Sequence, residues 1–506
     1  MGPLQDIRET WARFLNDENA AWVFVRARRR AILAISLIVL IPCFWHKRIE
    51  AGDLASHVYN AWLAQLIQKG QAPGLYIAPQ WNNMLFDVSL LHIANLAGFA
   101  AAQKIMVSVC VLIFFWGVFG FIAALTERPP WLLTPCMAML AYGFSFNMGF
   151  MNYYLSVGLA CFALAILWQG RGIAWFGGAV FAALALLAHP IGFLWFAATL
   201  AYRFVWRRIP EYWRLSLPAA CIAGFFVLRW RLENNPAFEV DWLPSSFLLR
   251  NGADQLLLFG HRDWYVYGAA LGWGAVSFLF AVRSGIREKE QSWKPLRLAL
   301  ELFFLAFCTT ALLPENLRSP LYAGWIGLLV SRLTTVTAIF GLAVLASVPL
   351  RRWMAAGFLV CASVFFAFLY QNTATLNELE ANAEKIAATL PFGTRIVPVI
   401  NAPGDWRVQF IAHAVERACI GRCFSFSNYE PSSGEFRIRV RAGSRVVTDS
   451  VDVAESMASG DYVVQAGDLP LTAIYQCGDS GITKLCAGRL AAGKKTEEPE
   501  DTDDGG

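Results

Sequence analysis

The feature that most constrains this chain is its succession of long apolar runs, with the charged residues clustered between them. The runs fall at 31–45, 105–125, 132–146, 154–168, 174–188, 191–205, 215–228, 266–282, 298–313, 334–348 and 353–370. Several are near the short end of the roughly 17–25 residues that span a bilayer. In hydrocarbon every backbone polar group must find its partner inside the segment, which leaves helices as the form for runs of this kind. The expected fold is therefore an all-α multi-span membrane protein with about eleven transmembrane helices. Tyr322 to Leu333 is also apolar and is a candidate re-entrant or interfacial piece. Composition agrees: 57% of residues are hydrophobic and 16% charged, against roughly a quarter charged in soluble domains.

Basic residues set the expected orientation. Arg26, Arg28, Arg29 and Arg30 precede the first run and place the N-terminus in the cytoplasm. Alternating from there, the clusters at 203–214 and 283–297 and the pair Arg351-Arg352 fall inside, and everything after Tyr370 falls outside. A plasma membrane of bacterial type is the expected location. Residues 1–30 form a cytoplasmic segment in which Leu4, Ile7, Trp11 and Phe14 recur at helical spacing, as in a helix lying on the inner surface. No small-x-small cleavage site follows the first run, and Pro42 before Cys43 argues against a lipoprotein signal.

Seven of the eleven cysteines lie within apolar runs and read as small hydrophobes. Cys419, Cys423, Cys477 and Cys486 lie in the segment expected outside, where an even set reads as disulfides. Cys419–Cys423 and Cys477–Cys486 are the simplest of the three pairings.

The first outer loop, about 46–103, is far longer than a hairpin needs. Its first half, 53–70, has the period of an amphipathic helix. Leu54, Val58, Tyr59, Trp62, Leu63 and Leu66 share one face, and Asp53, His57, Asn60 and Gln68 the other. Gly70 and Pro73-Gly74 end it. A second amphipathic piece, 84–96, carries Asp87 and His92. Two helices lying flat at the membrane surface fit this pattern.

An Asp opening the first outer loop, a surface helix, a Gly70-x-x-Pro73 turn and a second surface helix resemble the GT-C glycosyltransferases, multi-span enzymes that take a sugar from a polyprenyl-phosphate carrier. The resemblance covers about 30–370 and rests on one Asp plus an architecture. It implies a polyprenyl-phosphate sugar donor, a glycan, lipid or protein acceptor, and Asp53 as the catalytic base. Many members carry a second acidic residue beside that Asp; here Leu54 follows it. No metal is assigned and no cofactor expected, although a divalent ion stays open.

The residue types suit that chemistry. Forming a glycosidic bond requires a base for the acceptor hydroxyl proton and donors for the leaving phosphate. Asp53 also reads as a helix N-cap, a position Asp favours on its own account. His57, Asn60 and Asp87 are candidate substrate-binding residues on the same loop. Asn152, at the outer end of two runs, and His189, beside Pro190, are two more. Arg332 sits inside an apolar stretch, where an arginine needs a partner or a polar cavity. It is the first candidate to grip the carrier phosphate, with Arg318 second. Solvated loop charge is the default for the acids of 229–264.

After Tyr370 the character changes. Residues 371–490 read as a small extracytoplasmic α+β domain: a helix at 377–390, a strand at 395–400, a helix at 410–419, and strands at 436–441, 462–465 and 471–475. The polar turn at 428–432 reads as an ordinary loop, the alternative being that it dips toward the membrane site. Residues 491–506 are acidic and expected to be disordered. No P-loop, dinucleotide glycine motif, HExxH or Cys/His metal set is present, and the net charge of +5 gives no case for nucleic acid. Two rivals remain: a transporter or flippase, for which the halves show no internal repeat, and a non-catalytic cell-envelope assembly protein.

Overall fold

The computed structural model describes residues 20–168, 170, 172, 174–243, 249–288, 293–320, 325–477 and 482–501. The amphipathic N-terminal segment falls largely outside them, as do residues 321–324 of the expected re-entrant piece. The chain is mostly helical. In order, its helices are α1 (Ala20–Leu40), α2 (Leu54–Gln68), α3 (Leu85–Ala97), α4 (Phe99–Thr126), α5 (Thr134–Ala141), α6 (Met151–Leu167), α7 (Ala174–Ala188), α8 (Pro190–Arg208), α9 (Ser216–Asn234), α10 (His261–Arg287), α11 (Trp293–Leu312), α12 (Leu329–Ala346), α13 (Arg352–Thr389), α14 (Ala414–Ala418) and α15 (Val451–Ala458), with single turns between some of them. The strands are β1 (Leu75–Ile77), β2 (Glu239–Asp241), β3 (Asn316–Arg318), β4 (Trp325–Ile326), β5 (Arg395–Val399), β6 (Phe424–Ser425), β7 (Ile438–Val440), β8 (Thr472–Gln476), β9 (Leu485–Arg489) and β10 (Glu500–Asp501).

Among the described residues, six helices are long and apolar enough to cross a membrane: α4, α10, α11, α12, α13 and the helical stretch Glu211–Asn234 that contains α9. The expected count of about eleven is not reached on that measure, for local reasons. The run at 132–146 is broken, because α5 ends at Ala141 and only a four-residue turn, Phe144–Asn147, follows. Helices α6 and α7 have 17 and 15 residues. Arginines enter α1 at Arg26 and Arg28–Arg30, and α8 at Arg203, Arg207 and Arg208.

The chain forms two compact units. One takes residues up to Ile41, Val107–Phe146 and Met151–Phe368. Its helices meet through small residues. A Cβ at Gly117 would lie 2.4 Å from the Gly158 carbonyl oxygen, and one at Gly158 would lie 2.8 Å from Phe114 backbone, so α4 and α6 touch main chain to main chain. Close backbone approach of this kind is how helices associate where the surroundings are as apolar as the side chains. Beside the crossing, Phe114 stacks on Tyr154 at 4.3 Å. Strands β2, β3 and β4 form a small antiparallel sheet. An apolar cavity of about 330 Å³, lined by Met139, Leu140, Phe278, Phe303 and Leu342 among others, lies among the helices of this unit.

The other unit takes Pro42–Met106, Asn147–Phe150 and Leu369–Gly506. The sequence reading places the first loop with the helical body at 31–370; by contacts it groups with the C-terminal residues instead. The central sheet has the order β10-β9-β8-β5-β6, with β5 parallel to β6 and β8, and β8, β9 and β10 antiparallel in turn. Val397, Ala473, Met457, Val464 and Leu490 form its core. The disulfides are Cys419–Cys423 and Cys477–Cys486. The helix expected at 377–390 is the last part of the 38-residue α13, and the one at 410–419 shortens to α14. Residues 462–465 form no strand, only an isolated bridge from Val463 to Lys495. Within the tail expected to be disordered from 491 onward, Glu500 and Asp501 form β10, whose backbone pairs with β9.

Helix α2 departs most from expectation. It is buried on nearly every face, polar positions included: Leu54, Ser56, Tyr59 and Leu63 are wholly covered. Trp62 stacks on Phe424 at 5.5 Å, and the Tyr59 hydroxyl accepts the Ser425 amide at 3.0 Å. Strand β1 pairs with β7. On the face expected to meet water, Asn60 is bonded to Glu430 and His57 to Asp87, while Gln68 stays exposed.

Candidate functional site

Asp53 opens α2, but its side chain makes no capping bond to the helix. The helix start is held by main chain instead. The Gly52 amide donates to the Asn147 carbonyl at 2.7 Å, and the Asp53 amide to Met148 at 2.9 Å. Gly149 makes this approach possible: its φ is +80°, and a Cβ there would come 2.4 Å from the Asp53 nitrogen. The backbone is thus fixed while the carboxylate, 31% exposed, is left for other work.

Two carboxylate–histidine pairs lie around it. His57, one turn along α2, meets Asp87 of α3 at 2.6 Å through Nδ1, with Phe86 edge-on to its ring. His413 meets Glu416 at 3.0 Å through Nδ1 and turns Nε2 toward Asp53 Oδ1 at 3.8 Å. Between these pairs lies Glu430, which accepts a 2.6 Å hydrogen bond from the Ser56 hydroxyl and another from the Asn60 amide. The Ser425 hydroxyl donates to the second oxygen of Glu416 at 3.3 Å, and the Tyr429 ring lies 5.8 Å from that of His413.

Electrostatics follow from this crowding. Burial disfavours a charge on either imidazole, yet the carboxylates outweigh it. Against burial, Asp87 first, then Glu430 and Asp53, raise His57 to about 9. In the same way Glu416, then Glu430 and Asp53, raise His413 to about 10. Both are imidazolium at neutral pH. Burial pushes Glu430 up to about 7, with His413 and the Ser56 hydrogen bond pulling the other way. The Tyr429 phenol is held well above its usual range by burial and by Asp53 and Glu430.

A second buried network ties this unit together. Arg417 donates to Glu380 at 2.5 and 2.8 Å, to Glu50 at 2.8 Å and to the Ile49 carbonyl at 2.9 Å. Arg48 pairs with Glu384 and with Glu380. Burial, then Glu380, raises Glu50 well above the usual carboxyl range.

Of the candidates read from sequence, Asp53, His57, Asn60 and Asp87 come together here. Asn152, His189 and Arg332 lie in the helical unit, where His189 and Arg332 meet around Tyr153. Tyr153 donates its hydroxyl to the Arg332 carbonyl at 2.8 Å and sets its ring 5.6 Å from His189. His189 caps α8 by accepting the Ile191 amide at 3.2 Å, and Asn152 is buried on α6. The Arg332 guanidinium donates to the Gly327 carbonyl at 2.9 Å. Arg318 belongs to neither group. It sits on β3, 52% exposed, and pairs with Glu239 at 3.5 Å, because the strand register aims that position outward.

The sequence reading missed His413, Glu416 and Glu430. The turn at 428–432, read as an ordinary loop, delivers Glu430 to the centre of the cluster. The first two did carry a signal: three residues apart in an expected helix, a His and a Glu share one face. Among the described residues, no group of three or more His, Cys, Asp or Glu side chains is placed to hold a metal ion. No family model matches this chain, and no curated protein or solved structure matches it either.

Proposed function

We propose that this chain is a membrane-bound glycosyltransferase that moves a sugar from a polyprenyl-phosphate carrier to an acceptor hydroxyl on the outer face of the bilayer, with Asp53 as the general base. One observation carries the reading. The Asp53 carboxylate opens a helix without capping it, is partly open to solvent, and faces a cluster of paired acids and imidazolium groups. In the step proposed, Asp53 takes the acceptor hydroxyl proton as that oxygen bonds to the anomeric carbon. The bond from anomeric carbon to carrier oxygen breaks, and its electron pair leaves on the phosphate. His57, held protonated against Asp87, is a donor for substrate oxygens at the same end of α2. Asn60 is engaged with Glu430 and helps shape the site.

The test uses purified protein in nanodiscs and a panel of radiolabelled polyprenyl-phosphate sugars. Wild type should consume at least one donor, and Asp53→Asn should slow this by at least about a hundredfold at unchanged thermal stability. Undiminished turnover in Asp53→Asn would remove Asp53 from the mechanism. Wild type that consumes none of the panel, with glycan, lipid and protein acceptors supplied, would count against the transferase.

A further inference from the structure

Arg203 lies near the end of α8 and is only 6% exposed, so it does not snorkel to water. Its neighbours on α8, Tyr202 and Trp206, donate to Glu301 at 2.8 and 2.9 Å, and Arg297 pairs with that carboxylate at 2.8 Å. Arg203 has no such partner. Its guanidinium lies 4.4 Å from the centre of the Trp168 ring. Nη1 reaches the Leu167 carbonyl at 3.5 Å, a long contact, and Nη2 is buried without a hydrogen bond. Among the described residues the charge that acts on Arg203 is that of Arg207, and it repels. The two are four residues apart, so they share one face of the helix. Glu127 attracts the exposed Arg207 but has no such effect on Arg203. A ring face and the carbonyl end of α6 offset only part of the cost of a buried, unpaired cation.

We propose that Arg203 and Arg207 form a site for a phosphate group, and that its occupant is the headgroup of an anionic phospholipid. The planar guanidinium matches a pair of phosphate oxygens, and one anion beside both arginines turns their repulsion into attraction. The surroundings favour a lipid over a soluble phosphate. Phe204, Tyr212, Trp213 and Leu215 flank the pair in sequence and are each more than half exposed. Aromatic side chains of this kind sit at the level of the headgroups, and basic clusters beside them attract anionic lipid. Arg208 is set apart, because its guanidinium covers the Phe204 ring at 3.3 Å. This site lies wholly within the helical unit and does not depend on the transferase reading.

The test is native mass spectrometry of the full chain in detergent, titrated with phosphatidylglycerol or phosphatidylcholine. Wild type should hold phosphatidylglycerol about tenfold more tightly than phosphatidylcholine, the effect of a hydrogen-bonded charge. Arg203→Gln should lose that preference, and Arg208→Gln should keep it. If Arg203→Gln does not fold, Arg207→Gln stands in for it. That residue is exposed, so its loss should weaken phosphatidylglycerol binding by only about threefold. Equal binding of the two lipids by wild type overturns the proposal, and so does a preference that survives substitution of Arg203 or, where that variant does not fold, of Arg207. Inorganic phosphate that displaces phosphatidylglycerol from wild type at equal concentration would overturn the lipid as occupant and leave the site to a soluble phosphate.

Discussion

The two units of this molecule cohere by different physics. In the helical unit, glycine meets backbone: Gly117 against Gly158, and Gly192 so near Ser156 that a Cβ would lie 2.3 Å from its hydroxyl. The unit that holds the candidate site relies on buried charge, with Arg417 on Glu50 and Glu380, His413 on Glu416, and His57 on Asp87. A contact of shape is insensitive to pH and salt but intolerant of one added carbon. A contact of buried charge tolerates small shifts in shape but fails when one partner is lost.

The largest effect should come from that last property. Arg417→Met leaves Glu50 and Glu380 buried together with only Arg48 against Glu380, and should destabilise the site-bearing unit by about 3–5 kcal/mol. Hydrogen exchange in peptides from 395–490 should accelerate while peptides from α6 and α7 stay protected; equal loss in both would erase the distinction between the units.

A change of pH should come next. Each imidazole holds its proton more tightly in the folded state than in the unfolded one. The stability this confers is complete below about pH 6.5, and is lost as pH rises through about 9 for His57 and about 10 for His413. Raising pH from 6.5 to 10 should weaken the site-bearing unit by a few kcal/mol, read as a falling unfolding temperature. A flat response would show that the two pairs do not carry the unit. Smallest is the steric probe. Gly158→Val places carbon 2.8 Å from Phe114 backbone and should destabilise the helical unit by about 1–3 kcal/mol, without altering the pH dependence of the other.

What the sequence disclosed follows from range. Helix α2 was legible because its apolar period is local, and Asp53 because it opens that helix. Both disulfides were legible because each closes a short loop. Glu430 was not legible, because its partners Ser56 and Asn60 lie more than 350 residues away and no local pattern announces the pairing. The amphipathic period of α2 was read correctly as two faces, but period alone cannot say whether water or protein covers the polar one. The span count met a similar limit: composition marks 132–146 as apolar but does not reveal that the helix stops at Ala141.

The bond from Ser56 to Glu430 joins residues 374 apart, and the pairing of β1 with β7 reaches almost as far. At about 5–20 residues per second, the ribosome takes on the order of half a minute to make what lies between. Throughout that time Tyr59 and Trp62 have been synthesised but their partners Ser425 and Phe424 have not. The unit bearing the candidate site is therefore the last part of the protein able to mature. A nascent chain halted before Phe424 would present these two aromatic side chains to the chaperones and proteases that survey unfinished proteins.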